Sequence, residues 1–156
     1  MKLLKKFPFS FLILTLVFYC FVGCLFPAVE KHLTDELYVF APDSVEQVAI
    51  SYHYPPSSFY VLIEEMVIAV GFNDDFVIAK RQPANKKAIL YYIIDVNKMK
   101  KDREKHLSNK DQAGQTEYFL PEQPKPLSII EFNKRRKQMN IPDSLDFTLT
   151  YSNKEE

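Results

Sequence analysis

Apolar positions in this chain form one long unbroken block, several short alternating runs and one helical stripe. The block comes first. No residue from Phe7 to Val29 is charged, and the stretch ahead of it carries Lys2, Lys5 and Lys6 without an acid. Beyond it, Glu36 to Phe40 is rich in β-branched and aromatic residues and closes at Pro42-Asp43-Ser44, which predicts a strand and a turn. Gln47 to Tyr54 alternates, with Val48, Ile50, Tyr52 and Tyr54 on one side and Gln47, Ala49, Ser51 and His53 on the other. This predicts a strand with one wet face. Pro55 and Pro56 end it.

Phe59 to Phe72 is predicted as one long strand, bent or bulged at Glu64-Glu65. Asn73-Asp74-Asp75 suits a tight turn, so Phe76 to Arg81 should return as the hairpin partner. Ala88 to Asp95 is apolar on both faces and is expected as a third, central strand. Asn97 to Gln115 is densely charged. Met99, Arg103 and Leu107 fall four apart, leaving a short surface helix and a solvated loop both open. Tyr118 to Pro126 holds three prolines and reads as a linker or edge strand.

The sharpest local signal is Leu127-Ser128-Ile129-Ile130-Glu131-Phe132. Ser128 and Glu131 match a capping box, and Leu127 can staple onto Phe132. Lys134, Arg135, Arg136 and Lys137 suit the C-terminal end of the helix dipole, and Pro142 stops the helix. The predicted helix covers about 129–140 with Ile129, Phe132 and Met139 as its buried stripe. Leu145 to Tyr151 alternates as a last strand. The expected fold class is α+β: an antiparallel sheet of about five or six strands with one helix near the C-terminus, preceded by a signal peptide.

Composition narrows function. The chain has 156 residues and no formal net charge, with 20 basic and 20 acidic side chains. A dedicated nucleic-acid binder normally shows basic excess, so no nucleic-acid partner is expected. Gly23, Gly71 and Gly114 are the only glycines, too few and too scattered for a phosphate-cradling loop.

The basic start and apolar run have the form of a secretory signal. It ends at Phe21-Val22-Gly23-Cys24, which resembles the bacterial lipobox, with Phe21 in place of the usual Leu. The resemblance implies cleavage after Gly23 and acylation of the Cys24 thiol. The expected divisions are a signal peptide (1–23), a lipid-anchored tether (24–34), one α+β domain (35–152) and a frayed tail (153–156). Phe7 to Phe26 could instead span about 30 Å as an uncleaved helix; release as a soluble protein is the other alternative. Cleavage takes away three basic residues and no acidic ones, leaving 133 residues with a net charge of −3. Cys24 is then the only cysteine, so a disulfide framework and a thiolate zinc site are excluded.

The Asp74 to Lys80 stretch, a Pro-containing turn and Tyr91-Tyr92-Ile93-Ile94-Asp95 resemble a family of small uncharacterised bacterial lipoproteins. The resemblance runs from about Leu37 to Phe147. It implies membrane attachment through covalent lipid and supplies no catalytic residue.

Candidate chemistry is sparse. Asp74 and Asp75 are adjacent in a turn, where carboxylates diverge rather than converge as acid–base pairs must. Glu64 or Glu65 is expected to pair with Lys80 or Arg81 across strands. His32, His53 and His106 lack metal-ligand spacing, and Ser57 and Ser58 lack a nucleophile elbow. Lys134 to Lys137 could touch anionic lipid. Tyr52, Tyr54, Tyr60, Tyr91 and Tyr92 could form an aromatic binding patch. The expected function is a non-enzymatic, lipid-anchored cell-envelope module without cofactor or metal, with an envelope protein or component as possible partner. One alternative is an envelope hydrolase using Asp or Glu with a histidine, such as Glu64 or Asp95 with His53; the other is a single-pass protein anchored by residues 7–26.

Overall fold

In the computed structural model, residues 28–54, 58–84, 88–110 and 118–151 are described. Gly23, Cys24, the uncharged run 7–26, Ser57 and the tail 153–156 lie outside them. The described strands are β1 (Val29–Thr34), β2 (Leu37–Ala41), β3 (Ala49–Tyr54), β4 (Ser58–Ile63), β5 (Val67–Phe72), β6 (Phe76–Arg81), β7 (Leu90–Asp95) and β8 (Leu149–Thr150). The helices are α1 (Val96–Lys110) and α2 (Ile129–Gln138), and a 3-10 turn covers Val45–Gln47. Two antiparallel four-stranded sheets result, ordered β1-β2-β3-β4 and β7-β6-β5-β8.

The α+β class therefore holds, but a single sheet of five or six strands does not. The long strand expected from Phe59 to Phe72 breaks in two. β4 pairs with β3 in the first sheet, and β5 pairs with β6 in the second. Between them Met66 takes a left-handed backbone (φ 71°), while Glu64 and Glu65 are exposed. Arg81 fixes the break: its Nε donates to the Glu65 carbonyl (2.8 Å) and its Nη2 to the Glu64 carboxylate (2.7 Å). The expected cross-strand pair of Glu64 with Arg81 thus forms at the crossing between sheets.

Alternation decides what each sheet buries. Leu37 and Val39 of β2 and Ile50 and Tyr52 of β3 point into one core. Val67 and Val70 of β5, Val77 and Ala79 of β6, and Tyr92 and Ile94 of β7 meet them from the second sheet. The opposite face of the second sheet is covered too: Ile78 packs with Phe132 of α2, Ile141 and Leu145. That double covering explains why β6 and β7 are apolar on both faces. β7 is an edge strand, not a central one. Its outer edge is capped by mutual backbone bonds between Tyr91 and Leu127 (2.8 and 2.9 Å), which hides a row of groups that would otherwise invite pairing.

Two further expectations change, and the choice left open at 97–110 is decided for the helix. The stretch 24–34, which the sequence presents as a tether, holds β1 in its second half. β1 pairs with β2 through a two-residue turn in which Asp35 adopts φ 49°, a conformation Asp tolerates. Residues 97–110 form most of α1 rather than a loop, with Asp95 accepting the Lys98 N–H at 2.8 Å in the manner of an N-cap. Of the span 145–151, only Leu149 and Thr150 pair as a strand, on β5.

In α2 the capping box is present in both directions, and its last turn carries Arg135, Arg136 and Lys137. Phe132 is buried and Met139 packs against the same cluster, with Leu127 beside them. Ile129 is 46% exposed, contrary to expectation. The side facing the sheet runs through Phe132, Arg136 and Met139, and at 100° per residue Ile129 lies about 60° off Phe132. Arg136 is held there by its Nη2, which donates to the carbonyls of Pro142 (2.8 Å) and Leu145 (2.9 Å).

Two predictions come from this packing. A Cβ on Gly71 would overlap the Asp146 carbonyl, where the C-terminal segment crosses β5. Gly71→Ala should destabilise the fold by about 1–3 kcal/mol in urea unfolding, the range for overpacking a close contact. The second concerns pH. The Ser128 backbone N–H and hydroxyl hold the Glu131 carboxyl below its ordinary range. That contribution is therefore complete above the ordinary glutamate pKa and is lost as pH falls through the lowered folded value. Glu131→Gln should flatten the acid limb of the melting temperature against pH.

Candidate functional site

A concavity forms where β7 runs straight into α1. It is a cleft of about 540 Å³ between the first turns of α1, the extended segment 119–127 and the end of α2. Leu62, Ile94, Met99 and Phe119 supply apolar lining; Lys98, Asp102, Glu122, Lys125 and Arg135 supply charge of both signs. Local sequence sets each wall. Asp95 starts α1 by capping it, which places Lys98 and Met99, and Asp102 one turn on, on the cleft side. Pro121, Pro124 and Pro126 keep the facing segment out of a helix. This wall is pinned at its middle by Gln123 Nε2 donating to the Val61 carbonyl (2.9 Å) and at its end by the Leu127–Tyr91 bridge.

Lys98 and Asp102 pair at 2.9 Å within α1. The Asp102 hydrogen bond and charge, with the weaker pull of Glu122 and Asp95, hold the Lys98 ammonium above its ordinary pKa against the opposing effect of burial. The cleft thus offers apolar contact ringed by fixed charge of both signs. That combination suits an amphipathic ligand such as an extended peptide.

A second cluster joins the two sheets. Arg103 reaches from α1 to the β1–β2 turn and forks onto Asp35, with both nitrogens at 3.2 Å from the carboxylate. It also lies 3.5 Å from the Tyr52 hydroxyl and 3.8 Å from Glu36. The Tyr52 hydroxyl, together with the Asp35 carboxylate, raises the Arg103 pKa, while burial opposes it. Glu36 stands 3.8 Å from His53 Nδ1.

The third feature is the outer face of the first sheet. Phe40 stacks on Phe59 at 4.6 Å between ring centroids, Tyr38 meets Phe59 edge-on at 5.7 Å, and His53 lies 5.2 Å from Phe59. His32 adds a ring 4.9 Å from Tyr38. Ser51 lies directly opposite Tyr38 in the ladder, and its hydroxyl is buried without a hydrogen-bond partner.

These placements sort the residues singled out in the sequence. Asp74 is exposed in the hairpin, whose turn is closed by Asn73 Oδ1 accepting the N–H groups of Asp75 and Phe76. The Asp75 carboxylate accepts from Asn97 at 2.8 Å, tying the turn to α1. His32 and His53 come together around Tyr38, whereas His106 lies beside Phe119 at 5.8 Å. Among the described residues no three His, Cys, Asp or Glu side chains gather as a metal site requires. Neither Glu64 nor Asp95 is the carboxylate beside His53: Glu64 serves Arg81, Asp95 caps α1, and Glu36 takes that place.

The five tyrosines do not form one patch. Tyr52 and Tyr92 are core residues, Tyr54 and Tyr60 pack against that core, and Tyr91 lies on Phe132 at 5.0 Å. Tyr38, Phe40 and Phe59 form the open aromatic face in their stead. The basic run is divided as well: Arg136 braces the C-terminal segment, Arg135 lines the cleft, and Lys134 and Lys137 are exposed. Nothing local in the sequence marks Arg103 or the wall 119–127 as site residues beyond the helical spacing of Met99, Arg103 and Leu107. Among the described residues, no helix is long and apolar enough to cross a membrane.

The fold and cleft define a small α+β domain built on two antiparallel sheets. Residues 35–152 match the family described as "Protein of unknown function (DUF3997)". The chain belongs to that family; β1 lies just ahead of the matched residues. We find no match to the chain among curated proteins or solved structures.

Removing the Arg103 guanidinium leaves the Asp35 carboxylate, only 12% exposed, without its main partner. Arg103→Leu should cost about 1–3 kcal/mol in urea unfolding. Lys98→Ala, which breaks a pair exposed on both sides, should cost less than about 0.5 kcal/mol.

Proposed function

We propose that this protein is a lipid-anchored cell-envelope protein whose α+β domain acts as a non-enzymatic binding module. The observation that carries the reading is Gly23-Cys24 at the end of a basic-then-apolar leader, the arrangement that lipoprotein processing requires. Two or three acyl chains on one cysteine hold a protein firmly, at roughly 0.8 kcal/mol per buried CH₂. The cleft supports the binding role. Its lining is apolar with charge around it, and two of its carboxylates are occupied in structural contacts, Asp95 as the cap of α1 and Asp102 with Lys98. The partner is an envelope protein or component that presents an extended amphipathic segment.

The hydrolase alternative needs a carboxylate with a histidine. Glu36 and His53 are such a pair at 3.8 Å, but neither lines the cleft, and Glu36, in the β1–β2 turn, is shared with Arg103. Binding is therefore the reading that the shape of the molecule favours.

Intact mass spectrometry of the native product tests the anchor. The expected chain begins at acylated Cys24, and Cys24→Ala should abolish acylation and processing. An intact Met1 would establish the single-pass alternative, and unchanged palmitate labelling of Cys24→Ala would remove the lipobox assignment.

A further inference from the structure

Only four residues, Leu25 to Ala28, separate Cys24 from the first residue of β1. Five extended Cα steps reach roughly 17 Å at most. If Cys24 carries the acyl chains, Val29 is therefore confined to a thin zone over the bilayer, and the domain must rest on the membrane. This step takes the anchor proposed above as its starting point.

Two faces compete for that contact, and they lie on opposite sides of the molecule. One is the outer face of the first sheet, to which β1 itself belongs. The other is the basic outer side of α2, with Lys134 and Lys137. The α2 helix covers the face of the second sheet turned away from the first. Sheets pack about 10 Å apart. A helix layer adds a similar distance, plus a helix radius of about 5 Å. Seating α2 on the lipid would thus lift β1 about 25 Å, beyond the reach of the tether. Seating the first sheet on the lipid requires no such reach.

The chemistry of the first-sheet face agrees. Tyr38, Phe40, His53 and Phe59 are only half-buried there, and Val61 is 40% exposed. Phe40 sits opposite Glu30, next to the residue where the tether enters. Aromatic rings with polar tips favour the boundary between head groups and acyl chains. We propose that the outer face of the first sheet, centred on Phe40, Phe59 and Val61, lies in the head-group boundary of the bilayer that holds the acyl chains. The contact is apolar rather than charge-driven, because Glu30 stands opposite Phe40 in the ladder.

The mature chain contains no cysteine besides Cys24, so Val61→Cys introduces a single free thiol. The purified, lipidated protein carries an environment-sensitive fluorophore on that thiol, in phosphatidylcholine vesicles with and without doxyl-labelled phosphatidylcholine. A label on Lys134→Cys in α2 is the comparison. Quenching of the first label by about twofold or more is expected for a group at interfacial depth, with little change in the second. Equal quenching of the two, or stronger quenching at 134, would overturn the orientation. Should Val61→Cys not fold, Glu30→Cys places the probe on the same face of β1. Intact mass is read first. A chain without acyl groups defeats the anchor itself, whereas an acylated chain with an unquenched label at 61 defeats only the orientation.

Discussion

The backbone at Met66 is the constraint on which the two-sheet arrangement rests. Ile63 and Val67 on either side of the break are both at most 1% exposed in the shared core. A straight strand through these positions would drive at least one of Glu64 and Glu65 inward as well. Burying an unpaired carboxylate costs several kcal/mol, whereas one non-glycine residue in the left-handed region costs about 1–2 kcal/mol. The kink is the cheaper solution. It turns the glutamates out to Arg81 and passes the chain from one sheet to the other without leaving the core.

That crossing makes the two sheets unequal. The second is covered on both faces, by the first sheet and by α2, so its strands are apolar on both faces apart from Lys80, Arg81 and Asp95 at the strand ends. Among the described residues the first is covered on one face only, and its other face carries Tyr38, Phe40 and Phe59 where polar residues would be the norm. Arg103 ties the halves together. It leaves a helix that continues directly from the second sheet and grips Asp35, the left-handed residue of the β1–β2 turn in the first. A charged link suits this place because it lies at the margin of the sandwich, where part of the hydration survives.

What the sequence discloses depends on how local each cause is. The hairpin at Asn73 and the capping box of Ser128 and Glu131 are short-range patterns, and each is found in the structure; β3 forms too, but the face expected to be wet is not, since Ala49 and Ser51 are buried and Gln47 belongs to the 3-10 turn. β1 was hidden because Glu30, Lys31 and His32 are consecutive exposed residues of an edge strand, which leaves no alternation to read. α1 was ambiguous because it buries little beyond Val96 and Met99; tertiary contact and the Asp95 cap, not an apolar stripe, hold it. The division into two sheets hinges on one backbone dihedral, and the Arg103–Asp35 pair spans 68 residues. No window along the chain contains either. The cleft was invisible for the same reason, since its walls come from α1, α2 and a segment that reads only as proline-rich.

That proline-rich wall bears on how the cleft can bind. A free loop must lose conformational entropy when a partner orders it, and the affinity falls by that amount. Here Pro121, Pro124 and Pro126 restrict φ at three of six consecutive positions. Gln123 fastens the segment to β4 of the first sheet, and Leu127 fastens it to β7 of the second. The wall is consequently ordered before any partner arrives, and it bridges the same two sheets that Arg103 links at the β1–β2 turn. A rigid groove of this kind favours a partner that brings its own extended backbone, since the cost of ordering then falls on one side of the contact only.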